Sequence, residues 1–324
     1  MTLDPTHANP PCAEALPHGI LAIDTGFHRP AFDAAYLIVE QGRAAFFDTG
    51  TNFGVPRLLA ALAQAGLSPA AVDWLVVSHV HLDHAGGAGL LMRSLPQARL
   101  VVHERGARHM IDPGALFEGA RAVYGDAEMA RSYGELVPVP EARVLTTRDG
   151  MTIELAGRPL QFIDTPGHAR HHHAMWDERS RGFFTGDTFG LSYREFDVDG
   201  RPWLLPTTTP VQFEPEPLKS SVRRLLAFEP ECMYLTHFGR VGDVARLGAV
   251  LLEQIDAMVD VGQRCRALQG GARHAALREG IAALYLERMR AHGCTMPQGR
   301  ALELLEMDLE LNAQGLGIWL DRAR

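Results

Sequence analysis

An α/β fold followed by an all-helical region is the class this sequence predicts, on three observations. Over the first 240 residues, short β-type runs alternate with helical stretches. After Arg240 the β signal stops. The segments beyond it carry apolar residues at helical spacing with charges between them. At about 150 residues per domain, the 324 residues fit two domains or one large one. The pattern divides them into an extended lead-in over 1–18, an α/β part over 19–240 and a helical region over 241–324.

The lead-in is read from prolines at 5, 10, 11 and 17. Residues 19–25 and 35–40 are β-type runs, and a turn around Gly42 leads into 44–48. Residues 55–66 read as a helix with a glycine stop. Apolar runs of buried-strand length follow at 73–78 and 99–103. The stretch 114–135 looks helical and interrupts the strand pattern, like an inserted cap. Residues 151–155 and 159–164 flank a turn at Gly157, and 173–178 and 182–187 are two more strands. A helix over 217–228 precedes a strand over 232–237. Helices over 241–268, 272–292 and 297–311 complete the chain, punctuated by Gly270-Gly271 and Gly293. The apolar segment 311–320 is expected to dock against the rest.

Composition excludes several classes. Hydrophobic residues make up 46% and charged residues 22%, which is ordinary globular usage. No apolar run reaches the roughly 18 residues of a membrane span. The start of the chain lacks the basic and apolar regions of a secretory signal. A net charge of −8 without a basic block argues against a nucleic-acid backbone as partner. Cys12, Cys232, Cys265 and Cys294 form no CxxC pair, so a cytoplasmic protein without a disulfide framework is expected. Lys219 is the only lysine, so any mechanism needing one has a single candidate.

The chemistry-bearing residues cluster. Ser78-His79-Val80-His81-Leu82-Asp83-His84-Ala85-Gly86-Gly87 directly follows the apolar run 73–78. A strand end opening into a Gly-rich loop is where α/β folds place ligand groups. Imidazole nitrogens and carboxylate oxygens are zinc donors, and His79, His81, Asp83 and His84 offer four of them within six residues. Further donors follow other apolar strands: His168 after 159–164, Asp187 after 182–185 and His237 after 232–236. Together they are five histidines and two aspartates, enough for two divalent ions with one carboxylate shared.

In this order the motif H-x-H-x-D-H, then His, Asp and His resembles the metallo-β-lactamase superfamily, over about residues 19–240. The resemblance implies an αββα sandwich with metals at one edge of its two sheets. It implies one metal on His79, His81 and His168, a second on Asp83, His84 and His237, and Asp187 bridging them. Zn²⁺ is the expected ion, with Fe or Mn as alternatives. The segment TPGHARHH at 165–172 resembles the TPGHTxGH segment of glyoxalase II and lactonase-like hydrolases, with His171 at the usual glycine position. His172 then falls on a histidine that is structural in that family. His171 and His173 are expected in solvent or behind the ligands. Glutathione-binding relatives use basic residues, lysine included, in their helical C-terminal part, and no lysine follows Lys219 here.

A metal-dependent hydrolase follows from this reading. A hydroxide bridging the two ions would attack an ester, thioester or lactone carbonyl, with Asp83 and Asp187 as the carboxylates taking part. Phe189, Tyr193 and Trp203 are candidate substrate-lining residues for a small molecule, and the helical region is a candidate homodimer contact. Two rival reactions share the motif. A mononuclear iron sulfur dioxygenase would use His79, His168 and Asp187 as a facial triad. A phosphodiesterase is opposed by the acidic balance and by the short gap between Asp187 and His237. The Asp-Thr-Gly triplets at Asp24 and Asp48 read as turns at strand ends, not as a protease dyad. Asp48 is placed to orient a metal ligand.

Overall fold

The computed structural model describes residues 13–208 and 211–322; Cys12 and most of the expected lead-in lie outside them. The chain divides into two compact units. The first gathers the chain up to Val102, with Ala107–Leu145 and Glu154–Arg158. The second holds His103–Gly106, Thr146–Ile153 and the chain from Pro159 onward. The helices after 241 therefore share a unit with the second sheet, and the expected boundary at 240 does not separate the units.

The first sheet runs in the order of its strands. They are β1 Ala13–Leu16, β2 Ile20–Asp24, β3 Ala34–Glu40, β4 Arg43–Phe47, β5 Val72–Val76, β6 Arg99–His103 and β7 Val144–Thr147. Residues 13–16 of the expected lead-in are thus an edge strand, paired antiparallel with β2 from Ala13↔Ile23 to Leu16↔Ile20. β1 to β4 form an antiparallel meander, while β5 joins β4, and β6 joins β5, in parallel. A parallel neighbour requires a crossover. Here it is α1 Val55–Gln64, which starts with a proline in its first turn and buries Leu58, Ala61 and Leu62. The core of this unit joins these residues to Leu37, Phe46, Leu75, Leu91 and Leu100. After β5 come two short helices, α2 Leu82–Ala85 and α3 Ala88–Ser94. After β6 come α4 Ala107–Ile111, α5 Gly114–Tyr124, α6 Asp126–Glu128 and a π-helical turn over Met129–Tyr133. The expected helix over 114–135 is broken at Gly125, whose φ of 79° a side chain would resist.

The second sheet holds β8 Thr152–Leu155, β9 Arg158–Asp164, β10 His173–Asp177, β11 Gly182–Phe184, β12 Cys232–Leu235 and β13 Gly239–Val241. Their order across the sheet is β13-β12-β11-β10-β9-β8. β11 and β12 are its parallel pair, joined through the crossover helix α7 Pro215–Leu226. Four helices follow: α8 Val244–Arg264, α9 Gly270–His292, α10 Gln298–Leu304 and α11 Glu306–Arg322. Their apolar stripes are buried, with Leu251 and Ile255 from α8, Leu277 and Ile281 from α9, and Leu316 and Leu320 from α11. The final apolar segment is therefore docked. No helix among the described residues is long and apolar enough to cross a membrane.

Candidate metal centre

In the first unit the donors sit on the turn between β5 and α3. Its anchor is Asp48, one residue past β4, fully buried and held at φ 58°. The Asp48 amide donates to the Val76 carbonyl at 2.8 Å, which registers it against the end of β5. Its carboxylate then accepts the Ser78 amide at 2.7 Å and the Ser78 hydroxyl at 2.9 Å. Asp48 Oδ2 also lies 2.9 Å from His84 Nδ1. Two histidines are oriented in this way. His84 Nδ1 faces the carboxylate, so Nε2 keeps its lone pair and lies 3.7 Å from Asp83 Oδ2. His79 Nδ1 lies 3.0 Å from Ser78 Oγ, and its Nε2 meets His81 Nδ1 at 2.7 Å.

Chain packing explains why this turn follows that strand. His81 is the extended residue ahead of α2, and the single helical turn carries Asp83 and His84 away together. The His84 carbonyl accepts from the Thr49 amide and hydroxyl, at 2.8 and 2.9 Å. Gly87 lets the turn press on the loop after β4, since a Cβ there would lie 2.8 Å from the Thr51 carbonyl oxygen. A Cβ at Gly89 would come within 1.7 Å of the Val137 oxygen. Both glycines are required by close backbone approach.

In the second unit three strand ends each supply one donor. The loop after β9 carries His168, that after β11 carries Asp187, and that after β12 carries His237. His168 Nε2 lies 3.1 Å from Asp187 Oδ2, and His237 Nε2 lies 3.7 Å from Asp187 Oδ1. The two carboxylate oxygens thus face two different imidazoles. All three side chains are 7% exposed or less. His172 holds the carboxylate's backbone, because the Asp187 amide donates to His172 Nε2 at 3.2 Å. The Nδ1 proton then faces Thr165 Oγ1 at 2.7 Å and Thr188 Oγ1 at 3.1 Å. The Ser192 amide donates to the His237 carbonyl.

These donor sets fit a divalent metal. Zinc bonds of about 2.0–2.1 Å in a tetrahedron put neighbouring ligand atoms roughly 3.3 Å apart. The separations of 2.7 and 3.7 Å in the first unit, and of 3.1 and 3.7 Å in the second, bracket that value. Nitrogen and oxygen donors without a thiolate suit zinc, and iron or manganese as well.

The other expected residues are placed as follows. Phe189, Tyr193 and Trp203 are 2% exposed or less. Tyr193 donates its hydroxyl to Asp308 Oδ1 at 3.1 Å, and Trp203 packs on Phe196 and Tyr285. His171 and His173 are buried, contrary to a solvent position. His173 Nδ1 pairs with Thr147 Oγ1 at 2.7 Å, and its ring lies against Phe162. Ser78 heads the histidine segment in the sequence but has no role there; the structure places its hydroxyl between Asp48 and His79. The only signal for it was its place between an apolar strand and the first histidine.

The metallo-beta-lactamase superfamily model matches residues 29–237. A metallo-beta-lactamase fold-containing protein of Sulfurisphaera tokodaii is 27% identical over 174 residues, 52% of this chain and 62% of that protein. A hydroxyacylglutathione hydrolase of Cupriavidus taiwanensis is 28% identical over 62% of this chain and 70% of its own. A nitric oxide reductase of Moorella thermoacetica is 28% identical over 43% of this chain and only 31% of its own length. Among solved structures, a metallo-beta-lactamase family protein of Thermus thermophilus superposes with a TM-score of 0.62 at 24% identity, covering 90% of this chain and 95% of that one. The fold is thus the metallo-beta-lactamase fold, with two sheets and a C-terminal helical region.

Proposed function

The chain belongs to the metallo-beta-lactamase superfamily, and from that premise we propose that it is a hydrolase of ester, thioester or lactone carbonyls dependent on two divalent ions, zinc first among them. His79, His81 and His168 would hold one ion, Asp83, His84 and His237 the other, and Asp187 would be shared. A bound divalent ion supplies an acidified water and polarises a carbonyl oxygen. The protein's own part is to fix the donors. Asp48 and Ser78 set the tautomers of His84 and His79, and His172 sets the backbone of Asp187.

The observation that carries this reading is the Asp187 carboxylate, one oxygen toward His168 and the other toward His237. That is the posture of a shared ligand. Relatives named hydroxyacylglutathione hydrolase and atrochrysone carboxyl ACP thioesterase support acyl hydrolysis. The relative named nitric oxide reductase shows that related chains also carry redox names. Metal analysis of the purified protein, with a screen of esters, thioesters, lactones and phosphodiesters, tests the proposal. Two ions per chain and chelator-reversible cleavage of a carbonyl substrate are expected. One iron per chain with oxygen uptake on a persulfide, or cleavage of phosphodiesters alone, would overturn it.

A further inference from the structure

The first unit contains a cavity of about 490 Å³ that no donor residue lines. It lies among the loop after β2, the loop after β4, the start of α1 and the π-helical turn after α6. Arg57, Arg131, His28, Phe27 and Phe53 line it, with Thr51. Among the described residues no carboxylate does. The cavity is therefore cationic and partly aromatic, in a chain whose net charge is −8.

Its place beside the donor turn is fixed by packing. Thr51 is the residue on which Gly87, three residues after His84, presses. The negative charge of Asp83 is felt by His28 in the cavity wall and by Tyr133 behind it. Burial is the larger influence in both: it lowers the pKa of His28 and raises that of Tyr133.

The arginines are presented by the fold. Gly26, at φ +76°, leaves room for the Arg57 guanidinium, since a Cβ there would lie 2.8 Å from Nε. Arg57 is further anchored through its donation to the Asp24 carbonyl at 3.3 Å. Arg131 is paired with Glu128, which also accepts the Ser132 hydroxyl at 2.5 Å. That pairing fixes the π-helical turn, and both guanidinium groups line the cavity. Phe27 packs against Tyr133 with ring centroids 5.5 Å apart and the planes tilted by 53°, and Phe53 stands 58% exposed at the rim.

We propose that this cavity binds an anionic group of the substrate, a carboxylate or a phosphate, carried next to an apolar or aromatic portion. Guanidinium donors fit both oxyanions, the two rings take the apolar part, and 490 Å³ is within the range of a small-molecule site. The word substrate rests on the hydrolase reading; binding of the anion does not.

Two readouts keep the two readings apart. The first is calorimetric binding of glutarate and of glycerol phosphate to the metal-loaded protein. The second is the kcat/KM ratio for a monoester of glutarate over its neutral methyl diester. Arg57→Gln should weaken the tighter of the two anions about tenfold and lower the ratio by a similar factor, as expected for loss of a charge-assisted hydrogen bond. Arg57→Gln with Arg131→Gln should go further, and Arg99→Gln, at an exposed residue opening β6, should change neither. The better-bound anion identifies the oxyanion class. Weakened anion binding in the arginine variants, without cleavage of either ester by the wild-type protein, would sustain the pocket and leave the hydrolase reading to the metal analysis and substrate screen. Ester cleavage with unaltered binding and ratio in both arginine variants, or no anion binding by the wild-type protein, would overturn the pocket.

Discussion

The two units present candidate metal donors in opposite ways. In the first, four donors occupy one turn, and a single buried carboxylate, Asp48, ties that turn together through Ser78 and His84. In the second, three donors come from three strand ends, and their meeting depends on the register of β9, β11 and β12. A local cluster survives small movements of the sheet but fails as a whole when its anchor is lost. A dispersed cluster can lose one support and keep the others. The Asp187 carboxylate is the exception, since two histidines face it.

The largest effect should therefore come from Asp187→Asn, which keeps the shape and removes the shared charge. A loss of about 10²–10³-fold or more in kcat/KM is expected, on the scale of losing a central electrostatic group, with lower metal content by elemental analysis. Near wild-type turnover in a fully metallated variant would show that the dispersed cluster has no shared member. Next in size is Asp48→Asn. It touches no metal donor atom of the second unit, yet it should weaken metal binding about 10–100-fold, as loss of a ligand-orienting carboxylate does. It should also cost about 1–3 kcal/mol of stability, because the buried Ser78 hydroxyl and His84 Nδ1 that share Oδ2 lose their acceptor. Chelator competition and thermal unfolding measure the two effects; unchanged affinity would mean that the turn does not depend on its anchor.

The same contrast decided what could be read from sequence. His79, His81, Asp83 and His84 were legible because they are contiguous and follow an apolar strand. His168, Asp187 and His237 were legible as single candidate donors at strand ends, and resemblance to a family was needed only to divide the seven candidates between two ions. Element boundaries suffered where the segments are short. The segment 78–87 reads as a Gly-rich loop, whereas Leu82–Ala85 within it is helical and Ala88–Ser94 after it is a helix as well; four- and seven-residue helices interrupted by Gly86-Gly87 carry too little periodicity to register. The strands Ala13–Leu16, Val144–Thr147 and Gly239–Val241 were missed for the same reason, being three or four residues long at or near a sheet edge. The boundary at 240 followed a change of pattern, but burial ignores pattern. Gln254 on α8 donates to the Leu204 carbonyl and Asn312 on α11 accepts the Thr208 amide, so the helices belong with the segment after β11.

His172→Gln would sharpen the comparison from the dispersed side. His172 holds the Asp187 amide through one neutral hydrogen bond and spans Thr165 and Thr188 with its other nitrogen. Its loss should weaken metal binding about tenfold, at the low end for a group that supports a ligand. That is a smaller effect than at Asp48, because no charged group is removed and His168 and His237 keep their own strand ends. An effect larger than that of Asp48→Asn, measured by the same chelator competition, would reverse the ranking of the two clusters.

The smallest expected effect tests how the segment after Asp187 is held by the helices. Gly190 donates to the Asp187 carbonyl at 3.0 Å, and Ser192 to the His237 carbonyl, so this segment lies directly behind two donors. Tyr193 is the next residue, and its hydroxyl reaches Asp308 on α11 at 3.1 Å. Tyr193→Phe preserves the ring packing and removes only that hydrogen bond. Because the bond is buried and its acceptor is a carboxylate, about 1–3 kcal/mol of stability should be lost, a fall of roughly 1–2 °C in Tm for each kcal/mol in a chain of this size. Metal affinity should move less than twofold, since the backbone bonds from Gly190 and Ser192 remain. A fall in metal affinity matching that of His172→Gln, with Tm unchanged, would mean that the helices position the donors directly and that the second cluster has an anchor as exacting as Asp48.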